Sequence, residues 1–146
     1  MRLLLVVDMQ NDFITGSLGT GEAQRIVAAV NNKIKEYKNA GDKIIFTRDT
    51  HGEGYLSTQE GRRLPVPHCV KDTPGWEITG AIDTSAGEIW DKGAFGSVET
   101  AEYIAKKIKP DAVEIVGLCT DICVITNALI IKTLMPEVPV LVDSNC

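Results

Sequence analysis

The chain has 146 residues, of which 44% are hydrophobic and 24% are charged, and its formal net charge is −5. This length predicts one domain, residues 1–146, with a single core. The acidic balance and the lack of a basic patch argue against nucleic acid as a partner. No apolar run approaches the roughly 20 residues of a membrane span, so no membrane partner is expected. The four cysteines and the absence of a signal-peptide pattern indicate a reducing compartment, and we expect a cytoplasmic protein.

Five short runs along the chain predict β-strands. In chain order they are Leu3–Val7, Lys43–Phe46, Glu88–Trp90, Ala112–Val116 and Val138–Val142. Apolar residues at helical spacing lie between them, over Arg25–Lys38 and Val98–Ile108, and a further helical pattern follows Cys123. Strands that alternate with helices favour an α/β fold built on a parallel sheet with right-handed crossovers.

Four reactive side chains stand at or just past the ends of predicted strands. They are Asp8, Asp49, Lys92 and Cys123. In open parallel sheets, ligands bind outside the carboxyl ends of the strands. The alignment therefore predicts that these four side chains form one site.

Cys123 comes six residues after Gly117 and opens a helical pattern, which predicts a thiol in the first turn of a helix. Because the start of a helix favours thiolate, we expect its pKa to lie below the ordinary value of about 8.5. A nucleophilic cysteine needs a base and an electrostatic partner. Asp8 can accept the proton, and Lys92 can stabilise the negative charge. A cysteine here can also be a small buried residue that packs the helix against the sheet.

A second pattern indicates a metal site. Asp49 and His51 are two residues apart, and such residues point to the same side of an extended segment. With His68 they would supply one carboxylate and two imidazoles, which suits Zn²⁺, Mn²⁺ or Fe²⁺. The alternative is an N-capping aspartate and a hydrogen-bonded loop histidine. The C-x3-C spacing of Cys119 and Cys123 has no second pair to balance it, which argues against a zinc finger or ribbon.

The chain resembles a known family in five segments, in order and over nearly its whole length. The segments are VVDMQNDF (Val6–Phe13), TRDTH (Thr47–His51), PHCVKDTPGW (Pro67–Trp76), WDKGAFGS (Trp90–Ser97) and GLCTDICV (Gly117–Val124). They are similar to the nicotinamidases of the isochorismatase-like cysteine hydrolase superfamily. The resemblance implies an isochorismatase-like α/β fold, a three-layer α-β-α architecture with a mostly parallel sheet.

The same resemblance implies roles for individual residues. Asp8, Lys92 and Cys123 would be the catalytic triad. A cis peptide bond would join Leu118 to Cys119, and the backbone N–H groups of Cys119 and Cys123 would form the oxyanion hole.

For the remaining site the resemblance implies three metal ligands, an open fourth ligand and a stacking ring. The metal ligands would be Asp49, His51 and His68. Glu60 or Ser57 is the candidate fourth ligand, and Phe13 matches the ring that stacks on the substrate.

The implied activity is that of a metal-assisted cysteine amidohydrolase with a thioester intermediate. Its substrate would be a small planar amide, first of all nicotinamide, and its cofactor one divalent ion, first of all Zn²⁺. Two alternatives stay open: a hydrolase of another small amide or ureide, and a non-catalytic metal- or thiol-binding domain. The segment Leu64–Pro67 stands where many nicotinamidases carry a tryptophan, so the exact amide is open as well.

Two further expectations concern the long irregular segment and the end of the chain. Thr50–Ile82 is rich in glycine and proline, and we expect it to wrap the metal and roof the pocket. Relatives continue beyond the fifth strand through another helix and strand, which are lacking here. Because an exposed strand edge promotes association, we expect a homo-oligomer or a further C-terminal piece.

Overall fold

One fully parallel sheet organises the computed structural model, which describes all residues, Met1–Cys146. Its strands are β1 (Arg2–Val7), β2 (Lys43–Asp49), β3 (Glu88–Lys92), β4 (Ala112–Gly117) and β5 (Val140–Val142). The order across the sheet is β3-β2-β1-β4-β5, and every neighbouring pair is parallel. The predicted α/β fold with a parallel sheet is therefore confirmed.

The bounds of all five strands differ from the sequence prediction, those of β1 and β4 by a single residue. β2 and β3 run on to Asp49 and Lys92, because these two residues still pair with each other across the sheet. β5 begins only at Val140, since its ladder with β4 covers three residue pairs. Sequence patterns find the apolar middle of a strand, whereas the polar residues at its end are placed by cross-strand pairing.

Five α-helices connect the strands. They are α1 (Asn11–Ile14), α2 (Gly21–Ala40), α3 (Gln59–Arg63), α4 (Val98–Tyr103) and α5 (Ile125–Leu134). A π-helical turn, Ile104–Ile108, extends α4 to the predicted end. Another π-helical turn, Thr120–Val124, precedes α5, so Cys123 lies in this turn and not in the α-helix itself.

Helix α2 is longer than the apolar periodicity predicts, and its caps explain the difference. The Thr20 hydroxyl accepts a hydrogen bond from the Ala23 N–H at 3.0 Å, which starts the helix well before Arg25. Gly41 ends it with a φ of 72°, a left-handed conformation that glycine adopts without strain.

Helices cover both faces of the sheet, which confirms the three-layer α-β-α architecture. On one face, buried α2 side chains such as Val30 and Ile34 pack on Leu4 and Phe46. On the other face, Ile104 of the first π-helical turn and Ile131 of α5 pack on the alternate strand residues Leu3 and Leu5. Full burial of such a side chain contributes about 1.5–3 kcal/mol. None of the helices is both long and apolar enough to cross a membrane.

The segment between β2 and β3 is mostly irregular and is fastened by specific contacts. The Tyr55 hydroxyl donates to the Leu64 carbonyl at 2.9 Å, and the Trp76 indole donates to the Thr50 hydroxyl at 2.9 Å. Gly61 lies against the Tyr55 carbonyl so closely that a Cβ there would be 2.0 Å from the oxygen. These contacts hold α3 above the carboxyl ends of β1 and β2.

Candidate active site

Lys92 lies at the centre of a buried cluster at the carboxyl ends of the strands. Its ammonium is 2.7 Å from Asp8 Oδ2 and 3.5 Å from Cys123 Sγ. It also donates to the Ala94 carbonyl at 3.1 Å. The structure thus brings together the three predicted residues Asp8, Lys92 and Cys123, with side chains that are almost fully withdrawn from solvent.

Asp8 is fixed by the end of β1 and by the neighbouring strand. Its φ of 51° turns the chain out of the strand, and its N–H donates to the Thr47 carbonyl at 3.2 Å. The Thr47 hydroxyl donates to Asp8 Oδ1 at 2.7 Å. Complete burial raises the pKa of Asp8 above its ordinary value, although the positive charge of Lys92 opposes this. A buried carboxylate with a raised pKa is suited to accept and return a proton.

The expected lowering of the Cys123 pKa is wrong for this structure. Burial raises the pKa of the thiol above its ordinary value, and the negative charge of Asp8 raises it further. The ammonium of Lys92 acts in the opposite direction but does not reverse the shift. Cys123 is therefore a neutral thiol in this structure, since it is 6% exposed and its charged form would be poorly solvated.

Lys92 also connects this cluster to the predicted metal ligands. Burial alone would lower the pKa of Lys92, but the carboxylates of Asp8 and Asp49 raise it above its ordinary value, so it remains an ammonium. Asp49 Oδ1 lies 3.3 Å from the same nitrogen. Burial alone would raise the pKa of Asp49, whereas its hydrogen bond with His51 and the charge of Lys92 hold it below the ordinary value.

The predicted metal ligands converge next to this cluster. One donor atom from each of Asp49, His51 and His68 lies within 4.8 Å of the others. Glu60 Oε1 is 3.7 Å from His51 Nε2 and 3.6 Å from His68 Nε2, and His68 Nε2 is 3.7 Å from Asp49 Oδ2. Such separations fit ligands that are about 2.1 Å from one shared ion. Glu60 therefore fits as the fourth donor, while Ser57 does not line the cavity described below.

The imidazoles are oriented for this purpose. His68 Nδ1 is 2.8 Å from the Val66 carbonyl, which leaves Nε2 directed at the other donors. His51 Nε2 is 2.9 Å from Asp49 Oδ2, and this hydrogen bond raises the pKa of His51. A proton and a cation therefore compete for the same pair of atoms.

Two buried amides that position the site were not found from the sequence. Gln10 donates to the Asp49 carbonyl at 2.8 Å and accepts from the Asp49 N–H at 2.7 Å. Asn127 donates to the Cys123 carbonyl at 2.8 Å and accepts from the Ser97 N–H at 3.0 Å. For Asn127 the available signal was a polar residue on the buried side of α5, whereas Gln10 lies between β1 and α1, where no periodicity marks it.

A cavity of about 690 Å³ opens beside Cys123. Asp49, Glu60 and His68 form part of its wall, and so does Phe13, whose ring centroid is 5.6 Å from that of His68. The predicted positions of the metal ligands, nucleophile and aromatic ring thus share one space.

The backbone at the opening of the Cys123 turn matches the expected arrangement. The Leu118–Cys119 peptide bond is cis, as the resemblance implies. Cys119 lines the cavity, and its N–H donates to no group of the protein. Gly117, just before this bond, has a φ of 112° and leaves no room for a Cβ, which would be 2.1 Å from the Val7 carbonyl oxygen.

Comparisons with known proteins agree with this geometry. The family model described as Isochorismatase domain matches residues 2–146. The nicotinamidase/pyrazinamidase of Mycobacterium tuberculosis is 33% identical over 142 residues, which cover 85% of this chain and 75% of that protein.

Solved structures agree as well. The pyrazinamidase of Pyrococcus horikoshii in complex with zinc is 27% identical with a TM-score of 0.77, covering 97% of this chain and 98% of that one. The N-carbamoylsarcosine amidase of Thermoplasma acidophilum is 27% identical with a TM-score of 0.83, covering 99% of this chain and 82% of that one.

Proposed function

The chain belongs to the isochorismatase family of hydrolases that act on amide bonds, and from this premise we propose that it converts nicotinamide to nicotinate and ammonia through a thioester on Cys123. The observation that carries the proposal is the single ammonium of Lys92, which contacts Asp8, Cys123 and Asp49 together. This contact joins a nucleophile and its base to a set of metal donors.

In the first half of the reaction, Asp8 takes the proton of the Cys123 thiol as the sulfur attacks the amide carbonyl carbon. Lys92 stabilises the negative charge that develops. The thiol loses its proton as the new C–S bond forms, so no free thiolate accumulates in the buried site. The N–H groups of Cys119 and Cys123 would hold the oxyanion. The C–N bond then breaks, and Asp8 returns its proton to the departing nitrogen, which leaves as ammonia.

In the second half, water attacks the carbonyl carbon of the thioester. Asp8 accepts a proton from this water and passes it to the Cys123 sulfur as the C–S bond breaks. The neutral thiol is restored, and the carboxylic acid product leaves and loses its remaining proton to solvent as the carboxylate. A base whose pKa is raised by burial can perform both transfers.

Asp49, His51, His68 and Glu60 would hold one divalent ion, and their nitrogen and oxygen donors suit Zn²⁺ first, with Mn²⁺ or Fe²⁺ as alternatives. When bound, the ion would supply a Lewis acid that fixes the heteroatom of the substrate ring and so orients the amide. Phe13 would stack on the ring from the cavity wall.

A second candidate is a hydrolase of another small amide or ureide. The size of the cavity favours it, because 690 Å³ exceeds what one pyridine ring with an amide needs. The non-catalytic alternative is disfavoured by the intact contact of Lys92 with both Asp8 and Cys123.

We also propose a homo-oligomer in the cytoplasm. β5 forms an edge of the sheet, and Leu141 and Val142 on it are 58% and 40% exposed, so a second copy would cover apolar surface there. All four cysteines are free, in keeping with a reducing compartment. Light scattering of the purified protein tests the assembly; a monomer at all concentrations would contradict it.

The function is tested by ammonia release from nicotinamide in the metal-loaded protein. Wild type should release ammonia, and Cys123→Ala should release none above background. Cys146→Ser is the matched control, because Cys146 is also buried but lies outside the cavity, and it should keep full activity. Turnover in Cys123→Ala would contradict the proposal.

A further inference from the structure

The cavity extends well beyond the cluster around Cys123. Its volume of about 690 Å³ lies within the roughly 300–1,000 Å³ of pockets that enclose drug-sized ligands. Its outer wall is apolar and includes Leu64, Phe95 and Ile122, which are 39%, 46% and 41% exposed. A substrate with an apolar portion beyond its amide-bearing ring would cover this surface.

One cation lines this cavity, and its charge is not engaged by the protein. The side chain of Arg63, at the end of α3, forms no ion pair and no hydrogen bond with the protein. Glu60, one turn earlier, is directed at His51 and His68 instead. The adjacent Arg62 differs, because it donates to the Ser57 carbonyl at 2.6 Å and does not line the cavity.

The wall of the cavity carries charges of both signs. Asp49 and Glu60 belong to the proposed set of metal donors. Lys92 is paired with Asp8 and Asp49, so Arg63 is the only lysine or arginine of the cavity wall that is free to bind an anion. Arg63 offers the planar fork of N–H groups that binds a carboxylate with two hydrogen bonds. A ligand that carries an amide and a carboxylate would therefore bind Arg63 with its carboxylate and present its amide to Cys123.

We propose that the cavity takes an amide that extends from its ring through an apolar portion to a carboxylate, and that Arg63 binds this carboxylate. The inference rests on the proposed function and names the class of substrate for the same site. Arg63 then determines specificity, while the reaction at Cys123 is unchanged.

The test compares three amides: nicotinamide, a primary aromatic amide with an alkyl chain that ends in a carboxylate, and the methyl ester of that compound. Wild type should favour the carboxylate over its ester in kcat/KM by roughly tenfold or more, as expected for hydrogen bonds to a charged group. Arg63→Gln should remove this preference and leave nicotinamide unchanged. Arg63→Lys should keep part of the preference, because it retains the charge without the fork.

Arg62→Gln is the matched control, and it should keep the full preference. Equal rates for carboxylate and ester in wild type, or an unchanged preference in Arg63→Gln, would overturn the proposal.

If wild type hydrolyses none of the three amides, the proposed function fails, and calorimetry then tests the anion site separately. Binding of the three compounds would be measured in Cys123→Ala, with and without Arg63→Gln. Tighter binding of the carboxylate that depends on Arg63 supports the site, and equal binding of acid and ester overturns it.

Discussion

The two halves of the site are held in different ways. Asp8 and Lys92 stand at the ends of β1 and β3, where the sheet fixes their backbone. His51, Glu60 and His68 lie in the irregular segment between β2 and β3 and depend on the packing of that segment. Only Asp49, at the end of β2, belongs to both halves, through Lys92 and through His51. The sheet thus fixes the backbone of the proposed base and its cation, whereas three of the four proposed metal donors depend on a loop.

The largest effect should come from the base. Asp8→Asn removes the proton acceptor but keeps its shape, so turnover should fall about a hundredfold or more. The pKa of Cys123 should also fall, because the negative charge of Asp8 raises it and this charge is removed. Site-resolved alkylation against pH should therefore show a more reactive Cys123 in an inactive enzyme. A slower alkylation than in wild type would contradict this electrostatic account.

Lys92→Met should also lower turnover about a hundredfold, because one strong electrostatic element is lost. Here the pKa of Cys123 should rise further, since the ammonium is the group that lowers it. Alkylation should slow at every pH below that pKa. The control is Lys106→Met, whose ammonium pairs with Glu102 on an exposed helix surface and should leave both measurements unchanged. An unchanged alkylation profile in Lys92→Met would show that Lys92 does not stabilise the thiolate of Cys123.

The metal half should affect binding more than chemistry. His68→Ala should chiefly raise KM, because the ion orients the substrate while sulfur and base stay in place. Elemental analysis should find one divalent ion in wild type, and a chelator should lower activity without blocking alkylation of Cys123. Full activity without bound metal would show that the reaction does not require the ion.

The smallest effect should come from loss of a helix cap, and it should differ between α3, which lies in the loop, and α2, which packs on the sheet. The Thr58 hydroxyl caps α3 by accepting from the Gly61 N–H at 2.9 Å, and Thr20 caps α2 in the same way. Loss of either cap should lower the free energy of unfolding by about 1 kcal/mol. Only Thr58→Ala should also weaken Zn²⁺ binding severalfold, because α3 carries Glu60. Equal metal affinity in the two variants would show that Glu60 does not contribute to binding.

The contrast between sheet and loop also explains what the sequence could predict. Asp8 and Cys123 follow apolar runs that can end only at one edge of a parallel sheet, so their proximity was predictable. The pKa of Cys123 was not, because it depends on burial and on the distance to Asp8, which no helical pattern encodes. Gln10 and Asn127 were missed for a similar reason. Gln10 bonds to the backbone of Asp49, which is distant in sequence, and Asn127 bonds to the backbone of Cys123 on a buried face.

The donors in the irregular segment were predictable only as a set. Asp49 and His51 share a side by their spacing, but the choice of Glu60 over Ser57 required the packing of α3 on Tyr55. The resemblance to nicotinamidases left both candidates open, and the distances from Glu60 to His51 and His68 favour Glu60.

The central claim, covalent catalysis by Cys123, is tested most directly by trapping the intermediate. Enzyme mixed with nicotinamide is quenched in acid within the first turnovers, digested and analysed by mass spectrometry. The account predicts one nicotinoyl group on the peptide that contains Cys123, which disappears as substrate is consumed. Steady hydrolysis with no acyl group on that peptide at any quench time would contradict it.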